Sequence, residues 1–438
     1  MMMNKVRVIG AGLAGCEAAW QLARAGINVE LYEMKPQKYS PAHKKETFAE
    51  LVCSNSLKAQ RVESAAGLLK EEMRRLGSLL VPIAYECSVP AGGALAVDRD
   101  LFSDAVTKKI KEEPLIKVIS EEFTDIPSDD TVTVIATGPL TSDALAEKIS
   151  DLCGGALSFF DAAAPIVTAE SLDMTKVFSA SRYDKGGDNA YLNCPMNKEE
   201  YERFHEELIN AEIAELHSFE KHGKKLVYEG CMPVEILGSR GLDALRFGPM
   251  KPVGLKDPRT GHRPWAVVQL RMENAEGKLY NLVGFQTNLK FSEQKRVFGM
   301  IPGLENAQFM RYGVMHRNTF IDSPNMLCED WSHRKNRNLF FAGQITGVEG
   351  YMESAASGIM AGKAAAARVL GKEPLVLPKE TMIGALTDYM CRGGMGNFQP
   401  MGANFGILPE LSEKIRDKKE RYAALAQRSL EILEKLGV

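Results

Sequence analysis

The sequence has no apolar run approaching the roughly 18–20 residues that a helix needs to cross a bilayer, and it contains no internal repeat and no low-complexity stretch. A helical membrane span, a solenoid and a disordered tail are thereby excluded as organising principles. A strand-like run already begins at residue 6, which leaves no room for a signal peptide, so the chain is expected to be cytoplasmic. Its eight cysteines (Cys16, Cys53, Cys87, Cys153, Cys194, Cys231, Cys328 and Cys391) include no CxxC pair. No histidine stands at zinc-finger spacing from any of them, so no structural metal is expected. Scattered cysteines in a cytosolic chain are expected to be reduced. Strong net charge is lacking too: the formal balance is −3, which argues against indiscriminate nucleic-acid binding. That average conceals an asymmetry, because residues 240–337 hold sixteen Lys/Arg against nine Asp/Glu. A positive middle in an otherwise acidic chain points to a localised anionic partner.

What is present is ordinary globular material, 45% hydrophobic and 25% charged over 438 residues. That length predicts two domains. Residues 6–9 read as a buried strand, residues 13–25 as a helix and residues 29–33 as a second strand, together a βαβ unit. Residues 131–136 and 338–342 are further β-rich runs. Between about 155 and 325 the texture changes. Residues 199–220 read as an amphipathic helix, residues 266–271 and 280–285 as strands with Glu276-Gly277 as their turn, and residues 411–436 as a closing helix.

The first strand feeds directly into Gly10-Ala11-Gly12-Leu13-Ala14-Gly15, and Glu33 ends the next strand 18 residues after Gly15. In this setting the first glycine permits a tight turn, the second lets a pyrophosphate approach the backbone, and the third lets helix and sheet pack closely. The helix start offers unpaired N–H groups to the phosphates, and Glu33 can accept from a ribose hydroxyl pair. FAD rather than NAD is favoured by two distant elements. One is the strand ending Ala136-Thr137-Gly138. The other is Phe341-Ala342-Gly343-Gln344, followed by Gly347 and a small-residue run ending at Gly358, with Gly350 between them as a further cofactor-binding candidate. No second GxGxxG is present, so a separate NAD(P)H domain is not expected. The expected fold is α/β: a Rossmann-like FAD-binding domain of the two-dinucleotide type, built from residues 1–155 and 326–438. An α+β insertion domain is expected over residues 156–325, and it carries most of the positive segment that would face the anionic partner.

Two cysteines stand in unusual surroundings. Cys53 precedes Ser54-Asn55-Ser56, which read as cap residues of a helix running to about residue 76, where the helix dipole would lower a thiol pKa. Cys231 sits between Gly230 and Met232-Pro233, a turn followed by the basic segment Arg246-Phe247-Gly248-Pro249-Met250-Lys251. Local chemistry ranks Cys53 first as a nucleophile, and a small hydrophobe in a loop is the alternative reading.

The sequence resembles the folate- and FAD-dependent tRNA (uracil-5-)-methyltransferases. The segments that carry the resemblance are GAGLAG at 10–15, AELVCSNSLK at 49–58, YEGCMPVE at 228–235, LRFGPMKPVGL at 245–255, VGFQTNLKFSEQKRVF at 283–298, RYGVMHRNTFI at 311–321 and FFAGQITGVEGYMESAASG at 340–358. The resemblance implies that a cysteine thiolate adds to uracil C6 and that C5 then attacks the methylene group of methylenetetrahydrofolate. A hydride from reduced FAD completes the methyl group, with NADH or NADPH as reductant. It implies that Cys231 is the nucleophile and that Cys53 lies beside the flavin ring, the reverse of the local ranking. Cys194 matches a family cysteine and reads as structural. Tyr351 is a candidate to cover the folate, with His316 and Arg317 as further contacts. Lys251, Lys290, Lys295, Arg296 and Arg311 are candidates to hold phosphates around a uridine flipped from the tRNA T-loop. Glu349 and Glu353 are among several candidates for the base that takes the C5 proton. No protein partner is required. The alternatives are the same chemistry on ribosomal RNA, or an FAD oxidoreductase of another substrate class, which would not need Cys231.

Overall fold

The computed structural model describes residues 5–153, 157–162, 164–184, 191–214, 232–274, 276–313, 315–392 and 398–438, with the backbone alone for 157–162, 184 and 315–319. Two sheets organise the chain. The first is parallel and five-stranded, in the order Leu339–Phe341, Thr133–Ile135, Lys5–Ile9, Asn28–Tyr32, Ile116–Ile119. Its strands are short and apolar, as expected where helices cover both faces. The Leu13–Arg24 and Tyr351–Leu370 helices pack against each other through small residues. A Cβ on Gly362 would fall 2.7 Å from the Ala18 carbonyl oxygen, so the two helices meet backbone to backbone. The two ends of the chain thus share one core.

The second sheet is antiparallel and six-stranded: Phe178–Ser179, Tyr191–Met196, Ala266–Met272, Leu279–Leu282, Ile166–Thr168, Phe309–Arg311. All its strands come from the middle of the chain, and it has its own core around Cys194, Tyr201, Phe204, Phe285 and Phe298. The Leu157–Ala162 and Met315–Phe320 strands, which enter and leave this region, pair antiparallel. The fold is therefore mixed α/β around a parallel sheet, as expected. No helix among the described residues is long and apolar enough to cross a membrane.

Three helices differ from expectation. Residues 54–64 are not helical: Ser56–Ala59 is a strand paired with Ala94–Val97, and the helix is Ala65–Arg75, capped by the Ser64 hydroxyl accepting from Gly67 N–H at 3.1 Å. Asn55 bonds to distant groups and Ser54 accepts from Arg271, so neither caps a helix and the expected helix start does not follow Cys53. The Lys198–Ile209 helix starts on a capping box of Asn197 and Glu200 but stops eleven residues before the expected end, and residues 215–220 lie outside the described residues. The last helix begins only at Lys418, where Asp417 accepts from Glu420 N–H at 2.8 Å.

Candidate functional site

At the phosphate turn, Gly10 adopts φ +98°, and a Cβ there would sit 2.7 Å from the Ala136 carbonyl oxygen. Only glycine satisfies both conditions. Gly12 opens the Leu13–Arg24 helix with nothing within 4 Å of the place a Cβ would take, so its open side is where a phosphate can approach. Leu13, Ala14 and Gly15 are the buried first turn. The buried Glu33 carboxylate accepts from Ala11 N–H at 2.9 Å and from Lys35 N–H at 3.1 Å, which ties the end of the second strand to the turn. Gly10, Ala11, Gly12, Glu33, Ala136 and Thr137 help to line one cleft. These residues fit the nucleotide half of a dinucleotide.

The second and third expected elements arrive beside it. Gly138 follows the Thr133–Ile135 strand in a left-handed turn. Gly343 N–H donates to Ser357 Oγ at 2.7 Å, and Gln344 Nε2 donates to Glu349 at 3.0 Å. Gly350, with φ +125°, is the last residue before the Tyr351–Leu370 helix, and Gly358 lies against Ala14 of the phosphate-turn helix.

The Cys53 loop meets this helix start. The Tyr351 phenol oxygen accepts from the N–H groups of Cys53 at 2.7 Å and Ser54 at 3.1 Å. Burial, and the proximity of Cys53, push the phenol pKa well up, so Tyr351 stays neutral. From the other side Arg99 donates to the carbonyls of Leu51 at 2.9 Å and Cys53 at 3.3 Å, and its guanidinium pairs with buried Glu273 at 2.7 Å. Arg271, buried on the Ala266–Met272 strand, donates to Asn55 Oδ1 at 2.8 Å and Ser54 Oγ at 2.7 Å. Asn55 Nδ2 in turn reaches the carbonyls of Val97 at 3.1 Å and Met272 at 2.9 Å. The loop is thus clamped between the parallel-sheet region and the antiparallel sheet. Arg99, Arg271 and Glu273 were not singled out from the sequence, and Asn55 was read there only as a helix cap. The available signal was a charged residue inside the apolar strand run AVVQLRM.

The remaining candidates are spread out. Cys231 lies outside the described residues; Met232 and Val234, just beyond it, are buried. His316 and Arg317 are on the Met315–Phe320 strand, paired with Asp161 and Phe160, and only their backbone is described. Lys290 pairs with Glu212 at 2.6 Å, and Arg296 pairs with Glu293 at 2.7 Å and with Glu207. Lys251 and Lys295 are exposed. Arg311 differs from these. It is half-buried, burial and the neighbouring Arg99 charge depress its pKa, and it lies in the field of Tyr351 and Cys53. Arg311 thus belongs to the surroundings of the thiol loop. Cys194 is fully buried, and burial holds its thiol well above the usual range, as a packing residue would be. No group of metal-ligating side chains occurs among the described residues.

A parallel sheet joined by both chain ends, a glycine turn at the end of its central strand and a flavin-type helix start define an α/β flavoprotein architecture. Residues 5–373 match the family model described as glucose inhibited division protein A. The chain is 61% identical over 436 residues to a protein of Pelotomaculum thermopropionicum, covering 99% of each chain. It is 59% identical over 434 residues to one of Acetivibrio thermocellus, covering 99% of this chain and 98% of that one. Both relatives are named methylenetetrahydrofolate–tRNA-(uracil-5-)-methyltransferase TrmFO. Among solved structures, Aquifex aeolicus GidA in its form II crystal has a TM-score of 0.72 at 18% identity, covering all of this chain and 74% of that chain. The chain belongs to the glucose inhibited division protein A family and, within it, to the TrmFO group of methyltransferases.

Proposed function

We propose that this protein methylates C5 of a uridine in the tRNA T-loop, using methylenetetrahydrofolate as carbon donor. The observation that carries the reading is the placement of the Cys53 loop, held by two N–H bonds on Tyr351 at the flavin-type helix start. The names of the full-length relatives support the substrate. Gly10, Gly12 and the open helix start hold FAD phosphates, Glu33 faces a ribose, and Gly343, Gln344, Gly350 and Gly358 shape the flavin half. FAD, reduced by NADH or NADPH, supplies the hydride. Uracil C5 is a poor nucleophile until a thiolate adds at C6, and Cys231 takes that role. C5 then bonds the folate methylene carbon. Loss of the C5 proton and of tetrahydrofolate leaves an exocyclic methylene, and hydride addition there expels the thiolate and completes the methyl group. Cys53 shapes the flavin pocket, Tyr351 walls the folate, and His316 and Arg317 contact the folate tail or the uracil carbonyls. Lys251, Lys290, Lys295 and Arg296 hold RNA phosphates, and Arg311 meets an anionic group next to the thiol loop.

The reading is tested with 5-fluorouridine-containing tRNA, which lacks the departing C5 proton and should trap a covalent protein–RNA adduct when folate is supplied. Cys231→Ala is expected to abolish the adduct. An adduct that survives this substitution would move the nucleophile elsewhere, and Cys53→Ala then identifies it. Ribosomal RNA fragments offered in parallel should remain free.

A further inference from the structure

Three aromatic rings form one column at the edge of the antiparallel sheet. Phe309 and Tyr312 lie 5.1 Å apart between centroids with planes 9° from parallel, and Tyr312 and Phe291 lie 4.7 Å apart at 15°. The inner ring, Phe309, packs on the antiparallel-sheet core. The outer one, Phe291, is 54% exposed, and Met310, next to Phe309 in the chain, is 62% exposed. A column that merely closed the sheet edge would cover its last ring.

The column is fixed by a buried amide. Gln294 donates to the carbonyls of Leu289 at 2.7 Å and Gly313 at 2.8 Å, and accepts from Gly313 N–H at 2.8 Å. The Phe291–Phe298 helix is thereby locked to the turn that carries Tyr312. Basic residues interleave with the rings: Lys290, Lys295 and Arg296 stand at or on that helix, and Arg311 precedes Tyr312. Arg311 also lies in the field of Cys53 and Tyr351, so the column stands one residue along the chain from a side chain bordering the thiol loop.

We propose that the Phe309–Tyr312–Phe291 column is a nucleobase-stacking platform for the RNA substrate, with Phe291 as the receiving ring. The inference rests on the reading of the substrate as tRNA. A uridine that leaves its stack exposes the face of a neighbouring base. An aromatic ring held in place beside positive charge replaces that contact for any base, without sequence preference. Lys290 and Arg296 share their charge with Glu212, Glu293 and Glu207, so Lys295 and Arg311 are the cations that complement phosphates, and the exposed face suits a planar partner.

The test uses the FAD-loaded full-length protein, unmodified tRNA transcript, and the variants Phe291→Leu and Phe291→Trp. Phe291→Leu keeps apolar bulk and removes the π face. It is expected to weaken tRNA binding by roughly 5- to 150-fold, the loss of one base–ring stack. The slope of log Kd against log salt should not change, because no phosphate contact is removed. Phe291→Trp should retain affinity, and its indole fluorescence should be quenched by tRNA. FAD content and melting midpoint serve as folding controls. Wild-type-like tRNA binding by Phe291→Leu would overturn the platform and leave the substrate reading intact. So would a shift in sedimentation from dimer to monomer at unchanged tRNA affinity, which would mark the column as a contact between copies of this chain. If the wild-type protein fails to bind tRNA, the substrate reading falls, and the platform with it.

Discussion

Tyr351 links three features: it starts the flavin-type helix, it is half-buried, and its oxygen accepts the N–H groups of Cys53 and Ser54. Buried backbone donors without an acceptor each cost on the order of 1–3 kcal/mol. Tyr351→Phe is therefore expected to destabilise the protein by about 2 kcal/mol and to loosen the loop. It should show as a lower melting midpoint and faster alkylation of Cys53 in the FAD-loaded protein, with no loss of FAD. Unchanged melting and labelling would contradict the clamp. In the sequence, Tyr351 is visible only as an aromatic beside a glycine-rich turn. Its hydrogen-bond partners are 297 and 298 positions away, a separation that local pattern does not encode. The phosphate turn is legible for the opposite reason, because every requirement on Gly10, Gly12 and Gly15 arises from residues within one βαβ unit or from the strand beside it.

At the level of elements, the helices are tied together by buried carboxylates. Glu72, on the Ala65–Arg75 helix, accepts from Met382 N–H at 2.7 Å and Ile383 N–H at 2.9 Å, and also from the Ser429 hydroxyl. One side chain thus caps the Met382–Arg392 helix and holds the Lys418–Lys435 helix. Glu72→Ala is expected to cost about 3 kcal/mol, measured by urea unfolding. Burial raises the Glu72 pKa from its ordinary 4.5 to about 7, against the lowering effect of those hydrogen bonds. The folded state therefore keeps this proton up to about pH 7, whereas the unfolded chain releases it near 4.5. Stability consequently falls as pH rises through that window and is flat with respect to Glu72 above it. Glu72→Gln should reduce that slope, and an identical pH profile would refute the assignment. The helices misread from sequence have two causes. Ser54, Asn55 and Ser56 are good caps by type, but Asn55 spends its amide on Val97 and Met272. Sequence pattern located four strands of the parallel sheet and the Ala266–Met272 and Leu279–Leu282 hairpin, missed Ile116–Ile119 and Tyr191–Met196, and overran helix ends where polar residues simply continue.

Across the whole molecule, the parallel sheet holds a nucleotide-type site, and the positive charge candidates lie in the middle of the chain, on the antiparallel sheet and the helix and loops around it. The two sheet regions meet at the Cys53 loop through Arg99–Glu273 and Arg271–Asn55. That meeting makes chemical sense of an enzyme that must bring a flavin, a folate and a polymer to one carbon. The ordered motifs allowed the family to be read from sequence, whereas the buried arginine pairs that join the two sheets required the fold. The most direct test supplies methylenetetrahydrofolate labelled in its methylene carbon to the FAD-loaded protein with a nicotinamide reductant and unmodified tRNA. The expected result is labelled 5-methyluridine in the T-loop, with no methylation when S-adenosylmethionine is the only carbon source. Unlabelled tRNA, or methylation that requires S-adenosylmethionine, would contradict the proposed chemistry.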